Sequence, residues 1–276
     1  MNFDFDKISK QVKENGFFLL ENFLSNEDLN KVKKNLNITN DKEDKKSKLK
    51  FRFKNFLKDI INFDFNNIKK KIYLKKFNKK YKLDEIAAQI LGSNINYTAD
   101  FYLSKISNNM VFPWHTDQAF TGRKDVTKFE INQNRYLDPE KAALKFFFYL
   151  TDVDSENGCL AYIPKSNIIS FYLKKLILDN KIDYSPFWLL SDYRNLILKK
   201  EVRLLLEKFI EKKVIDEFYS NTLFINEKEG DTRVFDLPCK AGSLLIFSEL
   251  GVHRASAVKN HERKVLRYFY KRNNIK

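Results

Sequence analysis

An α+β fold with an antiparallel β core is predicted by three features of this 276-residue chain. Helix-like segments come early, a helical stretch at about 166–220 interrupts a series of strand-like segments, and strands return toward the C-terminus. No internal repeat or linker divides this order, so a single domain over 1–276 is expected. Hydrophobic residues at 43% and aromatics at 15% are enough to build its core.

Phe17–Phe23 is a short apolar run and reads as a strand. Ser25 follows as a helix N-cap, with Asp28 completing a capping-box pattern and Leu29, Val32 and Leu36 at helical spacing. Residues 38–50, ITNDKEDKKSKLK, are charged and nearly free of apolar side chains, which predicts a solvated or mobile loop. LDEIAAQILG is a short amphipathic helix stopped by Gly92. INYTADFYLSKI has the β-branched and aromatic content of a strand, and LKFFFYLTDV that of a strand buried on both faces. SENGCLAYIP supplies an Asn-Gly turn and another strand, the pairing expected of a hairpin. Within 166–220, ISFYLKKLILDN and KEVRLLLEKFIEKKVIDEFY carry helical periodicity, with YSPFWLLSDY between them. TRVFDLPCKAGSLLIF and KVLRYFYKR are strand-like again.

The net charge of +15 invites a nucleic-acid reading. Only ten of the 51 basic residues are Arg, however, and the Lys excess comes with many Asn, Ile and Phe, all residues with AT-rich codons. Coding bias therefore explains the charge without a nucleic-acid partner. Aromatic residues also concentrate in buried-looking strands rather than alternating with Lys on exposed ones. This weighs against the alternative of a non-catalytic basic β-barrel binding nucleic acid or an anionic polymer. Cys159 and Cys239 are too few for a disulfide framework and lack zinc-site spacing, so buried free thiols are expected. The N-terminus has no apolar signal-like core, and no apolar run approaches the roughly 20 residues of a membrane span. A cytoplasmic protein is expected.

The chemistry-bearing feature is PWHTDQAF, residues 113–120, which holds one of three histidines. In a strand, alternate residues project the same way, so His115 and Asp117 share a face. Imidazole and carboxylate are the ligand types of a non-haem Fe(II) triad of two His and one carboxylate. The second His is His253 or His261. His253 lies between two strand-like segments, where antiparallel strands meet a barrel end, whereas His261 lies in a charged turn and reads as solvated. By itself a His-x-Asp is also compatible with a hydrogen-bonded structural histidine.

The surrounding blocks give the tripeptide its context. VKENGFFLLENFLSNEDLNKVKKNL, LDEIAAQILGSNINYTADFYLSKI, WHTD, LTDVDSENGCLAYIPKSN, AGSLLIFSELGVHRAS and ERKVLRYFY follow one another in an order that resembles the phytanoyl-CoA dioxygenase-like branch of the Fe(II)/2-oxoglutarate dioxygenases. The resemblance implies a double-stranded β-helix, a jelly roll of cupin-like form, with flanking helices. It implies His115, Asp117 and His253 as iron ligands and Fe(II), 2-oxoglutarate and O2 as the cofactor set. Arg263, ten residues past His253, would take the distal carboxylate of 2-oxoglutarate through a bidentate pair. Lys264 is its neighbour on the opposite face, and Arg267, on the same face, is the fallback or a contact for an anionic substrate.

Tyr102 and Lys105 precede the metal motif, and Lys105 resembles a family lysine near the cosubstrate. Lys145 and Phe147 share a face of KFFFYL with Tyr149, and Phe147 matches a family aromatic lining the site. Trp114 is expected to pack on the barrel exterior. The carboxylate at Asp117 favours hydroxylation, because halogenating relatives leave that position empty for chloride. Desaturation, ring formation and epimerisation start from the same attack on a C–H bond. The implied substrate is a small or carrier- or lipid-linked molecule, with the basic balance and Lys145, Arg267 and Lys105 near the presumed mouth favouring an anionic one, and with Phe147 a further substrate contact. The chain departs from the family in IPKSN, which stands for an IPGSH-like segment, and in the length of the 166–220 insertion. That insertion reads either as helices capping a barrel edge or a dimer contact, or as a lid over the substrate.

Overall fold

The computed structural model describes residues 4–36, 56–107, 112–120, 143–183, 187–225 and 235–272. The charged loop expected at 38–50 lies outside the described residues. The chain separates into two compact units, residues 24–85 and residues 1–23 with 86–276.

In the smaller unit, α2 (Asn26–Asn35) begins at Ser25, whose Oγ accepts the Asp28 N–H, as the N-cap pattern predicts. The Asp28 carboxylate does not turn back to complete a capping box. It accepts instead from Lys80 Nζ at 2.6 Å and Tyr81 Oη at 2.7 Å at the end of α3 (Phe56–Tyr81). The two cationic and hydroxyl donors satisfy the carboxylate better than one backbone N–H.

In the larger unit, α1 (Phe5–Asn15) leads through Gly16 into β1 (Phe17–Leu20), and α4 (Leu83–Leu91) ends at Gly92, whose φ of 90° only glycine adopts readily. β2 (Ile95–Ser104), β3 (Phe112–Phe120), β4 (Ala143–Tyr149) and β5 (Leu160–Tyr162) follow. Next come α5 (Ser166–Leu178), β6 (Phe187–Leu189), α6 (Leu190–Leu198), α7 (Lys200–Leu206) and α8 (Lys212–Thr222). β7 (Asp236–Leu237), β8 (Leu244–Ser248), β9 (His253–Ala255) and β10 (Arg263–Arg272) complete the chain.

The strands form two five-stranded antiparallel sheets, ordered β1-β8-β4-β10-β2 and β6-β3-β9-β5-β7, the double-sheet arrangement of a jelly roll. Inner-face residues of both sheets, among them Phe147, Tyr149, Leu160, Tyr162, Leu245, Phe247 and Val265, make one core. The reading of LKFFFYLTDV as a strand buried on both faces holds, because β4 is central in its sheet and nearly every residue is buried.

β4 and β5 do not form the expected hairpin, since they belong to different sheets. The Asn-Gly segment is the corner that carries the chain across. Buried Asn157 fixes it: its Oδ1 accepts the N–H groups of Asn260 and His261, and its amide meets the His261 ring at 2.5 Å. His261 remains exposed, as expected. Gly158 has φ 77°, and a Cβ there would lie 2.7 Å from Arg263 Cδ and 2.9 Å from Val258 Cγ2.

Among the described residues the insertion is four helices and one strand. Its helices cover the outer face of the second sheet, where Ile169, Leu173, Leu190 and Leu206 join Trp114, Ala161 and Val252 in one cluster. Trp114 thus faces out from the barrel but is fully buried beneath helices. β6 pairs with β3, placing Leu189 opposite His115. In IPKSN, Lys165 takes φ 64°, so a lysine adopts the left-handed turn for which the resembling segment has glycine. Cys159 and Cys239 are buried free thiols, both pushed up to about 12 by desolvation. No helix among the described residues is long and apolar enough to cross a membrane.

Gly158→Ala is expected to destabilise the protein by about 2–4 kcal/mol, combining left-handed strain with overpacking against Arg263. Thermal or urea unfolding against wild type measures it, and an unchanged midpoint would contradict the close-approach argument.

Candidate metal centre

β3 and β9 are neighbours in the centre of the second sheet, and His115 and His253 stand directly opposite each other in their register. Cross-strand partners on one face bring side chains within contact, and the two imidazole centroids are 4.7 Å apart. Asp117 joins them by the two-residue strand period. Ligand atoms of His115, Asp117 and His253 all lie within 4.8 Å of one another, a spacing that can hold a metal ion.

The tautomers follow from the backbone. His115 Nδ1 meets the Pro113 carbonyl at 2.7 Å, and His253 Nδ1 meets the Gly251 carbonyl at 2.9 Å. A carbonyl only accepts, so each Nδ1 carries the proton and donates it. In the neutral rings both Nε2 atoms are then lone-pair acceptors aimed at the carboxylate, His253 Nε2 at 3.0 Å from Asp117 Oδ2 and His115 Nε2 at 3.7 Å from Oδ1. Burial pushes the His253 pKa down, with the Asp117 charge offsetting only part, so the neutral ring is favoured. Burial also works to raise Asp117, but its cationic surroundings, with the Lys145 ammonium donating to Oδ2, outweigh it and hold the carboxyl well below the usual range. Three acceptors converging at this range repel unless a cation lies between them.

These residues open into a cavity of about 240 Å³ lined also by Tyr102, Lys145, Phe147, Trp188, Arg263 and Arg267. Arg263 is 3% exposed, opens β10 and extends over the Phe147 and Tyr149 rings at 5.8 and 5.9 Å. Its Nε and the Tyr149 hydroxyl are buried with no hydrogen-bond partner among the described residues. A buried guanidinium left this way is costly and suits an incoming carboxylate.

Arg267 differs. It binds Asp100 through Nε at 2.7 Å and an Nη at 2.6 Å and lies 4.2 Å over the Tyr102 ring. Its fork is occupied by Asp100. Lys145 donates to Asp117 Oδ2 at 2.5 Å, which pairs the second cation proposed for an anionic substrate. Lys264 pairs with Glu262 at 3.6 Å, away from the cavity. Lys105 follows the end of β2, is exposed and does not line the cavity. Trp188 was not singled out in the sequence, yet β6 brings its ring to within 6.0 Å of His115. Asp192 secures it by accepting the N–H groups of Trp188 and Leu189. The Trp within YSPFWLLSDY, between two helical segments, was the available signal.

An antiparallel jelly roll with a His-x-Asp strand facing a distal His defines a protein with the scaffold of a mononuclear metal site. More specifically, the family model for phytanoyl-CoA dioxygenase (PhyH) matches residues 12–265, and the chain belongs to that family. No curated protein matches the sequence. Among solved structures it is similar to EvdO2 from Micromonospora carbonacea var. aurantiaca complexed with 2-oxoglutarate, at 12% identity, covering 99% of this chain and 92% of that one, with a TM-score of 0.52. It is also similar to HygX from Streptomyces hygroscopicus with iron bound, at 10% identity over 97% and 86%, TM-score 0.51. The epimerase SnoN, in complex with Fe3+, alpha ketoglutarate and nogalamycin RO, gives 12% identity over 97% and 83%, TM-score 0.50. At these identities the likeness speaks to the fold.

Co(II) at a hundredfold excess over its Kd is expected to add about 2.7 kcal/mol to unfolding stability, and a chelator to remove it. Calorimetry of wild type and His253→Ala checks this. A metal-induced shift that survives in His253→Ala would exclude the triad as the binding site.

Proposed function

We propose that this chain is an Fe(II)/2-oxoglutarate-dependent dioxygenase that hydroxylates an unactivated C–H bond of a small or carrier- or lipid-linked substrate. The observation that carries the reading is the pair of Nδ1-to-carbonyl hydrogen bonds, which aim two Nε2 lone pairs at Asp117 beside the buried Arg263, whose Nε has no hydrogen-bond partner among the described residues. The donor set fits Fe(II), for which two imidazoles and one carboxylate leave three positions free. The solved neighbours that hold iron or 2-oxoglutarate support the same pairing. The family match spans both compact units, which supports the whole chain acting as one dioxygenase.

In this reading His115, Asp117 and His253 hold the metal, and the carbonyls of Pro113 and Gly251 keep both rings turned toward it. Arg263 receives the distal carboxylate of 2-oxoglutarate, with Phe147 and Leu160 excluding water around it. When bound, Fe(II) and 2-oxoglutarate together with O2 supply the oxidant for C–H attack. Trp188, Tyr102 and Ala255 form the wall against which the substrate is oriented. With Lys145 and Arg267 already paired, a substrate uncharged near its reacting carbon fits better than the anionic one suggested by net charge. An uncharged group there avoids burying an unpaired charge. Epimerisation, the reaction for which SnoN is named, begins with the same C–H attack. The carboxylate ligand at Asp117 favours hydroxylation over halogenation.

His115→Ala should abolish 2-oxoglutarate-dependent succinate formation while retaining the wild-type far-UV spectrum. Turnover persisting in that variant would end the proposal. Arg263→Met should raise the 2-oxoglutarate KM about 100-fold through loss of two charge-assisted hydrogen bonds, with divalent-metal affinity little changed. An unaltered KM would assign the cosubstrate elsewhere.

A further inference from the structure

Lys145 is an unusual neighbour for a metal carboxylate. It lies on β4 with Phe247 of β8 and Phe269 of β10 as its register partners on either side. Its ammonium is 5.9 and 5.6 Å from those ring centroids, and its side chain is only 15% exposed. Flanked in this way it stays beside Asp117, donating to Oδ2 at 2.5 Å, with buried Glu249 Oε1 4.0 Å from the same nitrogen. Any metal bound to Asp117 would therefore have a fixed positive charge a few ångströms away, in surroundings that screen poorly.

The charges around the site have a pattern. With both histidines neutral, Asp117 and Glu249 balance Lys145 and Arg263, and Arg267 is balanced separately by Asp100. A divalent metal alone leaves this cluster with a surplus of two positive charges. A dianionic 2-oxoglutarate cancels that surplus. Without Lys145, the metal alone would leave one excess positive charge and the dicarboxylate would overshoot to one negative.

We infer that Lys145 couples the two ligands, weakening the hold on metal alone and strengthening it once the dicarboxylate is present. The inference rests on the proposed Fe(II)/2-oxoglutarate reading. Lys145 acts through Asp117 and the local charge, so it is a positioning residue. Its hydrogen bond also orients Asp117, and losing an orienting partner weakens a metal site about 10–100-fold. Repulsion between a dication and a fixed monocation at this range acts in the opposite direction and is larger, which sets the sign. Linkage requires that metal raise 2-oxoglutarate affinity by the same factor.

The test is titration with Co(II), followed by its d–d absorption and by calorimetry, with and without saturating 2-oxoglutarate. Lys145→Met is expected to bind Co(II) alone about tenfold or more tighter than wild type, and to lose most of the enhancement by 2-oxoglutarate. Lys145→Arg, which keeps the charge, should retain the enhancement. Glu249→Gln, which removes one of the two carboxylates near the lysine, should weaken Co(II) alone by about tenfold, and it serves independently if Lys145→Met folds poorly. Equal or weaker Co(II) binding by Lys145→Met, with the enhancement intact, would overturn the coupling and leave the triad standing. Absence of Co(II) binding by wild type would overturn the triad itself and the coupling with it.

Discussion

Two backbone carbonyls determine what this protein can do. Those of Pro113 and Gly251 each accept the Nδ1 proton of the histidine two residues later. Neither ring can then present a donor to Asp117 without becoming charged, which burial disfavours at His253. The three acceptors are held close by register rather than by attraction: β3 lies against β9, and His115 opposite His253. The fold's stability elsewhere, in the aromatic core between the sheets and the clusters around them, secures a cation site that would otherwise be electrostatically strained.

A second constraint runs through Arg263. The guanidinium is buried among Phe147, Tyr149 and the Gly158 corner, so its position was fixed before any ligand arrives. Arg267, four residues on along the same face, shows the contrast. A bidentate carboxylate and a tyrosine ring already satisfy it, so it contributes shape to the cavity rather than a free charge. Two arginines on one strand thus differ, one buried with its Nε unpartnered among the described residues and the other already paired.

Much of this was legible in the residues. The period of two put His115 and Asp117 on one face, and the position of His253 between strand-like segments put it at the sheet's end, where β9 begins. Ser25 capped its helix as its residue type requires. What the chain did not disclose were choices decided by distant partners. β4 and β5 looked like a hairpin because Asn-Gly is locally a hairpin turn, but long-range pairing assigns them to separate sheets. Asp28 looked like part of a capping box until Lys80 and Tyr81 claimed it. Lys145 looked like a contact for an anionic substrate because no local pattern announces that Asp117 lies across the barrel from it. In α3, Ile68 and Ile72 are about half exposed, so no clean apolar stripe marked that helix in advance.

The insertion is joined to the metal strand through β6, whose backbone pairs with β3 beside His115 and whose tryptophan faces the cavity. Variation in this segment is therefore never purely local. A sequence change that reshapes the wall around Trp188 also tugs on the strand that carries a metal ligand. Diversification toward new substrates would have to proceed through side chains, leaving the main-chain path of residues 187–189 nearly constant.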